Sequence, residues 1–222
     1  MKAMKASEMA AVMNGGYFGA ENLIVSGECR FDSREVKPGD FFLALQGETN
    51  DGHLFVADAL ANGAVLAITT KEVAGPHIVV TDVLEAAAKL AHANRMALPN
   101  LAVVGITGSQ GKTTTKDLLR TVLSSAGTTV APIGSYNNEI GVPVTLLRCD
   151  ESTQFCIVEM GARHLGDIGK LTELAQPRVG AVLRVGTAHL GEFGSREGIA
   201  QTKGELIRGL KPGATAVRSE EH

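Results

Sequence analysis

Gly111-Lys112-Thr113 has the residue types of a phosphate cradle: a glycine for a tight turn, a mobile cation, and a hydroxyl. It sits in "VVGITGSQGKTTTKDLL", Val103 to Leu119, which reads as a strand, a glycine turn and a helix start. Backbone N–H groups over residues 108–113 at such a junction, with the helix N-terminus behind them, form an anion site. Gly108, Ser109, Gln110, Gly111, Lys112, Thr113 and Thr114 are therefore candidates for holding nucleotide phosphates. Lys112 is suited to the β- and γ-phosphates, and the Thr113 hydroxyl to Mg2+. The spacing departs from G-x-x-x-x-G-K-[ST], because Ile106 stands where the first glycine of that loop belongs.

Two further candidates follow apolar strands. Glu159 ends the run from Phe155. A carboxylate there needs a partner, because burying it unpaired is expensive. It reads as a metal ligand or base, or as half of an ion pair with a nearby arginine such as Arg163. His189 follows the run from Val179, and taken alone a structural histidine is the better reading of it. Lys203 is unusual. In the helix expected over 197–210, at about 100° per residue, it falls inside the stripe of Ile199, Leu206, Ile207 and Leu210, while Gln201 and Glu205 point the other way. A lysine so placed must snorkel, find an acid, lose its proton or be modified.

The elements that must position these groups are legible. Strands are expected at 23–25, 41–45, 65–69 and 78–81, with helices at 7–13 (capped by Ser7), 54–61 and 83–96. Asp82 and Glu85 look like a capping box. Beyond Pro99 strands at 101–106, 129–131, 155–158, 179–185 and 215–217 alternate with helices at 112–125, 167–174 and 197–210. Such alternation implies right-handed crossovers and a parallel sheet, and ligands bind outside the carboxyl ends of its strands. The expected fold is α/β, with a small amino-terminal α/β domain (1–82) followed by a partial P-loop parallel-sheet ATPase domain (83–222).

Composition narrows the class. The 222 residues are 44% hydrophobic, enough for real cores, and carry a net charge of −3 with both signs interspersed, which points to neither nucleic acid nor membrane. Tryptophan is absent and aromatics are only 4%, which argues against base-stacking platforms. Cys29, Cys149 and Cys156 form no CxxC and suit reduced, buried thiols in a cytosolic protein. No apolar run reaches membrane-span length, and the Met1 end shows no signal-peptide core.

At this point the motifs resemble those of the Mur ligases of peptidoglycan synthesis. The short loop "TGSQGKTTTK" is that family's form. "DSREVKPGDFFLAL", "GETNDGHLF", "YNNEIGVPVTLL", "VEMGARHLGDIGKLT" and "VGTAHLGEFGSREGIAQTKGE" follow in its order and cover nearly the whole chain. "NNEIGVP" and "EMGA" are similar to the branch that joins D-alanyl-D-alanine to UDP-N-acetylmuramoyl-tripeptide, rather than to its sister ligases or folylpolyglutamate synthase. The resemblance implies an ATP- and Mg2+-dependent ligase working through an acyl phosphate, cytoplasmic and monomeric. Lys112, His189 and Lys203 would be catalytic. Thr113, Glu159, His189 and a carbamylated Lys203 would serve metal. Asn137 and Asn138 would lie near nucleotide and substrate, with Asn138 among the ATP contacts. Ser33, Arg34, Asp51, Gly52 and His53 would bind the UDP-sugar.

Arg163 and Arg184 stand where the family commonly has asparagine, Thr187 replaces a frequent proline, and "HLGEFG" reorders "HLEGFG". The family's chains continue into the rest of the ATPase sheet and a further domain. This chain as given is therefore expected not to ligate by itself. A non-enzymatic nucleotide or UDP-sugar binding module is the alternative. A switch-type P-loop NTPase is disfavoured by the loop spacing and by the lack of an NKxD-like motif.

Overall fold

Phe41, Phe42 and Leu43 are all buried, as are Leu66, Ala67 and Ile68. Strands without a wet face need layers on both sides, and this requirement shapes the molecule. The computed structural model describes residues 1–47, 50–186 and 195–218. The chain divides into two compact units, Met1–Ala97 and Leu98–His222.

The amino-terminal unit contains β1 (Met4–Lys5), α1 (Ala6–Met13), β2 (Gly16–Phe18), β3 (Ile24–Val25), β4 (Cys29–Arg30), β5 (Phe41–Leu43), α2 (Val56–Ala61), β6 (Leu66–Thr69), β7 (His77–Val79) and α3 (Val83–Met96). Its main sheet has the order β2-β7-β6-β5-β4, parallel except where β2 meets β7. Phe42, Ala44 and Ala67 pack with Val56 and Ala59 of α2.

Two sequence expectations are corrected here. Helix α1 starts at Ala6, so Ser7 lies inside it and is not the cap; the Glu8 carboxylate instead accepts the Lys5 N–H at 3.4 Å. Helix α3, capped as expected by Asp82 accepting the Glu85 N–H at 2.9 Å, packs on α1. Its buried Asn94 accepts the Lys2 N–H at 3.1 Å. The compact amino-terminal unit therefore extends to Ala97 rather than ending near Asp82.

The second unit runs β8 (Ala102–Thr107), α4 (Lys112–Ser124), β9 (Thr129–Val130), α5 (Gly141–Leu147), β10 (Phe155–Glu159), α6 (Asp167–Ala175), β11 (Val179–Val182), α7 (Arg196–Arg208) and β12 (Thr215–Arg218). The sheet is wholly parallel in the order β12-β11-β8-β10-β9. From central β8 the chain first builds one side, β9 and β10, and then crosses to β11 and β12. That reversal makes the carboxyl end of β8, between β10 and β11, the topological switch point where open α/β sheets bind ligands. Helix α5 is absent from the sequence expectations. Every residue in it is buried, so it offers no amphipathic stripe, and Pro143 is tolerated because it falls in the first turn.

Asp40 shows what holds the amino-terminal sheet edge. Its carboxylate is 5% exposed and accepts from the Glu28 N–H at 2.8 Å, Arg30 Nε at 2.9 Å and the Lys37 N–H at 3.0 Å. Removing it leaves two amides without their acceptor and takes from the largely buried Arg30 guanidinium one of its two carboxylates, the other being Glu28 at 2.8 Å from Nη2. We expect Asp40→Ala to lower the unfolding free energy of this unit by about 3 kcal/mol, measured by urea denaturation. A loss under about 1 kcal/mol, the range of an exposed ion pair, would contradict the role given to it.

Candidate active site

The shifted glycine spacing has a structural cause. Ile106 and Thr107 belong to β8 and are wholly buried, and Thr107 Oγ1 donates to the Met160 carbonyl at 2.8 Å. The turn is compressed into residues 108–111. A Cβ on Gly108 would lie 2.8 Å from Leu183 Cβ, and Gly111, at φ 85°, turns the chain into α4. The first amides of α4 have no intrahelical acceptor by construction and form the positive end of its dipole. Thr113 and Thr114 are exposed there, with Gln110 and Gly111 before them. Lys112 Nζ donates to the Gly108 carbonyl at 2.8 Å. The cradle is smaller than the sequence implied, because the Ser109 N–H donates to the Arg184 carbonyl at 2.9 Å. The Ser109 hydroxyl is a buried polar atom with no hydrogen-bond partner among the described residues.

Glu159 ends β10 beside this turn and is 1% exposed. Thr113 Oγ1 donates to its Oε2 at 3.3 Å, and Asn137 Nδ2 donates to its Oε1 at 2.9 Å. These contacts, rather than an ion pair with Arg163, satisfy it. The Arg163 N–H belongs to the turn closed by Asp167, at 3.0 Å. The two asparagines have separate jobs. Asn137 reaches Glu159, whereas Asn138 Oδ1 accepts from the Gly141 N–H at 3.1 Å and caps α5.

The Thr113 and Glu159 oxygens suit a small hard cation. Their 3.3 Å separation is close to the roughly 3 Å between adjacent corners of an octahedron with bonds of about 2.0–2.1 Å. No cluster of three or more His, Cys, Asp or Glu that could hold a metal occurs among the described residues. A cation here would complete its shell with phosphate and water oxygens, as Mg2+ commonly does.

Lys203 is 3% exposed on α7, between wholly buried Ile199 and Leu206. No hydrogen bond or ion pair joins it to another described residue. Burial, then the nearby charge of Lys112, push its amine down to about 8, with Glu205 pulling weakly the other way. Glu205 does not simply face solvent. Its carboxylate accepts from the Gly166 N–H at 2.7 Å and the Gly169 N–H at 2.9 Å, capping α6 where Gly166 has no side chain to do so. His189 lies outside the described residues.

In the amino-terminal unit, Ser33, Arg34 and the 51–53 turn follow the carboxyl ends of β4 and β5. Ser33 is buried, and its carbonyl accepts from Asn62 Nδ2 at 3.0 Å. Arg34 is exposed and forks onto Asp32, at 2.9 Å from Nε and 2.6 Å from Nη2; those bonds hold the Asp32 carboxyl down at about 2. Asp51 accepts from the His53 N–H at 2.9 Å, from its Nδ1 at 2.5 Å and from Lys71 at 3.3 Å, so its carboxyl is also pushed down to about 2, the backbone bond counting most. His53 Nε2 accepts the Thr70 N–H at 2.9 Å, which assigns the ring proton to Nδ1. Gly52 is required because a Cβ would meet the Leu45 carbonyl oxygen at 2.5 Å. Asp51, Gly52 and His53 thus build their own turn, which residue types alone do not reveal.

Known proteins share this architecture. Residues 28–145 match the catalytic domain of the Mur ligase family, and residues 106–221 match the Mur ligase middle domain. A UDP-N-acetylmuramoyl-tripeptide–D-alanyl-D-alanine ligase of Mycobacterium bovis is 46% identical over 89% of this chain and 43% of its own length. A crystal structure of MurF from Acinetobacter baumannii superposes with a TM-score of 0.89 at 36% identity, covering 100% of this chain and 49% of that one. A MurF ligase from Thermotoga maritima in complex with ADP gives 0.77 at 36% identity, covering 88% and 46%. The chain thus spans less than half the length of these relatives. The two domain matches together run from residue 28 to residue 221, and the chain belongs to the Mur ligase family.

Proposed function

We propose that the unit from Leu98 binds the phosphates of ATP with Mg2+. We propose further that a polypeptide of the relatives' full length joins D-alanyl-D-alanine to UDP-N-acetylmuramoyl-tripeptide. The observation that carries this is the meeting of Lys112, Thr113 and buried Glu159 at the switch point of the sheet. When bound, ATP would supply the phosphoryl group that activates the substrate carboxylate as an acyl phosphate, which the D-alanyl-D-alanine amine displaces with release of phosphate.

The chain's own residues supply position and charge, which is most of what phosphoryl transfer asks of a protein. The α4 amides and Lys112 orient the phosphates. Thr113 Oγ1 and Glu159 Oε2 would hold Mg2+, which neutralises phosphate charge when bound. His189 and Lys203 are proposed as further metal-site groups. Lys203 would act as a carbamate: its neutral amine attacks the carbon of CO2, an N–C bond forms, and one proton leaves to solvent. Asn138 acts by fixing the start of α5. Ser33, Arg34 and the 51–53 turn are proposed to present the UDP-sugar surface, supported by their place at strand carboxyl ends and by the exposed Arg34 guanidinium. A monomer in the cytoplasm, serving cell-wall synthesis and so cell division, completes the reading. Three buried cysteines without disulfides fit a reducing compartment. No helix among the described residues is long and apolar enough to cross a membrane.

Titration calorimetry with ATP–Mg2+ tests the cradle. Lys112→Ala should weaken binding about 10- to 100-fold, the worth of a charge-assisted hydrogen bond, with the fold intact; equal affinity would sink the reading. The Lys203 assignment has its own readout. The neutral amine fraction grows as pH rises through about 8. In 13C-bicarbonate a carbamate carbon resonance should therefore appear over that range and be absent from Lys203→Arg; no such resonance would remove the carbamate from the account. The unfolded chain binds the extra proton between about 8 and the ordinary 10.5. The lysine's contribution to stability should therefore improve with pH across that window.

A further inference from the structure

Lys116 is a buried cation that none of these roles uses. It lies one turn beyond Lys112 on α4 and is 4% exposed. Its Nζ donates to the Gly134 carbonyl at 3.0 Å and the Pro132 carbonyl at 3.5 Å, and lies 3.2 Å from Asp117 Oδ1. Just beyond the end of α5, Arg148 Nη1 donates to the Ala131 carbonyl at 2.9 Å. Three carbonyls of one short stretch, Ala131, Pro132 and Gly134, are thus gripped by two cations.

That stretch leads directly to the site. Three residues past Gly134, Asn137 places its amide on Glu159 at 2.9 Å, and its carbonyl accepts the Gly161 N–H at 2.7 Å. Asn138 then caps α5. Ile133, Ser135 and Tyr136 are exposed, and the polar ties of Pro132, Gly134 and Asn137 fix the path on either side of them. An apolar residue of Lys116's size would fill its place without the desolvation penalty of a charge. What the ammonium adds is a directional hold on two carbonyls.

We propose that Lys116 is a positioning residue of the phosphate site. By anchoring residues 132–134 to α4 it keeps the Asn137 amide on Glu159 Oε1, which leaves Oε2 turned to Thr113. One rigid helix then presents Lys112 and Thr113 to the ligand and, one turn later, holds the loop that orients the carboxylate. This rests on the proposed ATP–Mg2+ site.

The test compares wild type with Lys116→Met, Lys116→Gln, Lys116→Arg, Asn137→Ala and the Lys116→Met/Asn137→Ala pair. One readout is ATP affinity with and without Mg2+; the other is amide hydrogen exchange at Gly161 in the nucleotide-free chain, with β8 amides as the folding control. Lys116→Met should reduce the Mg2+-dependent gain in affinity about tenfold, a typical coupling within one network, leave Mg2+-free affinity near wild type, and speed exchange at Gly161. Asn137→Ala should match it in Mg2+ dependence, and the pair should be no worse than either. Lys116→Gln, whose amide falls short of Gly134, should behave as Met does and carries the test if the Met variant misfolds. Lys116→Arg should rescue. An unchanged Mg2+ gain with unchanged Gly161 exchange, or losses that add in the pair, would overturn the proposal. Wild type that binds no ATP at all would overturn the underlying site; slower or unchanged Gly161 exchange in Lys116→Met would separately overturn the anchoring.

Discussion

The architecture of the second unit turns on a carboxylate that water does not reach. Glu159, 1% exposed at the end of β10, is tolerable only with donors on its oxygens, and those come from two directions. Thr113 brings the first turn of α4 against the strand, and Asn137 brings the segment ahead of α5. The first demand fixes the turn between β8 and α4. The helix must begin close enough to β10 for a threonine hydroxyl to reach, and the compressed glycine turn at 108–111 achieves that. Low local dielectric would strengthen the attraction between this carboxylate and a cation, so the constraint that orders the fold is also what the proposed metal site would use.

Buried lysines around this centre are handled in two ways. Lys116 keeps its place by donating to backbone carbonyls. Lys203 has no such donation to a described residue, and burial beside Lys112 pushes its amine down to about 8. An amine lowered in this way is the feature on which the proposed metal-site role of Lys203 rests.

Much of this was legible in the residues. Alternating strands and helices implied a parallel sheet, and its strand ends collected Lys112, Thr113 and Glu159 as expected. The apolar stripe of α7 correctly buried Lys203. The same reasoning applied to α4 would have found Lys116, since at about 100° per residue it shares a face with Leu119 and Leu123. What stayed hidden was tertiary. Glu205 caps a different helix, α6. The polar groups of Asp51 and His53 are taken up by their own turn and by Thr70. Helix α5, buried on all sides, has no periodicity to read, and only packing against α1 shows which unit owns α3.

The most direct measurement is a crystal structure of this chain with Mn2+, as an anomalously scattering substitute for Mg2+, and a non-hydrolysable ATP analogue. The account predicts the β- and γ-phosphates at the first turn of α4 and an anomalous peak bonded to Thr113 Oγ1 and Glu159 Oε2. A nucleotide bound elsewhere, or a metal peak away from those two oxygens with Glu159 still held by Thr113 and Asn137, would contradict it.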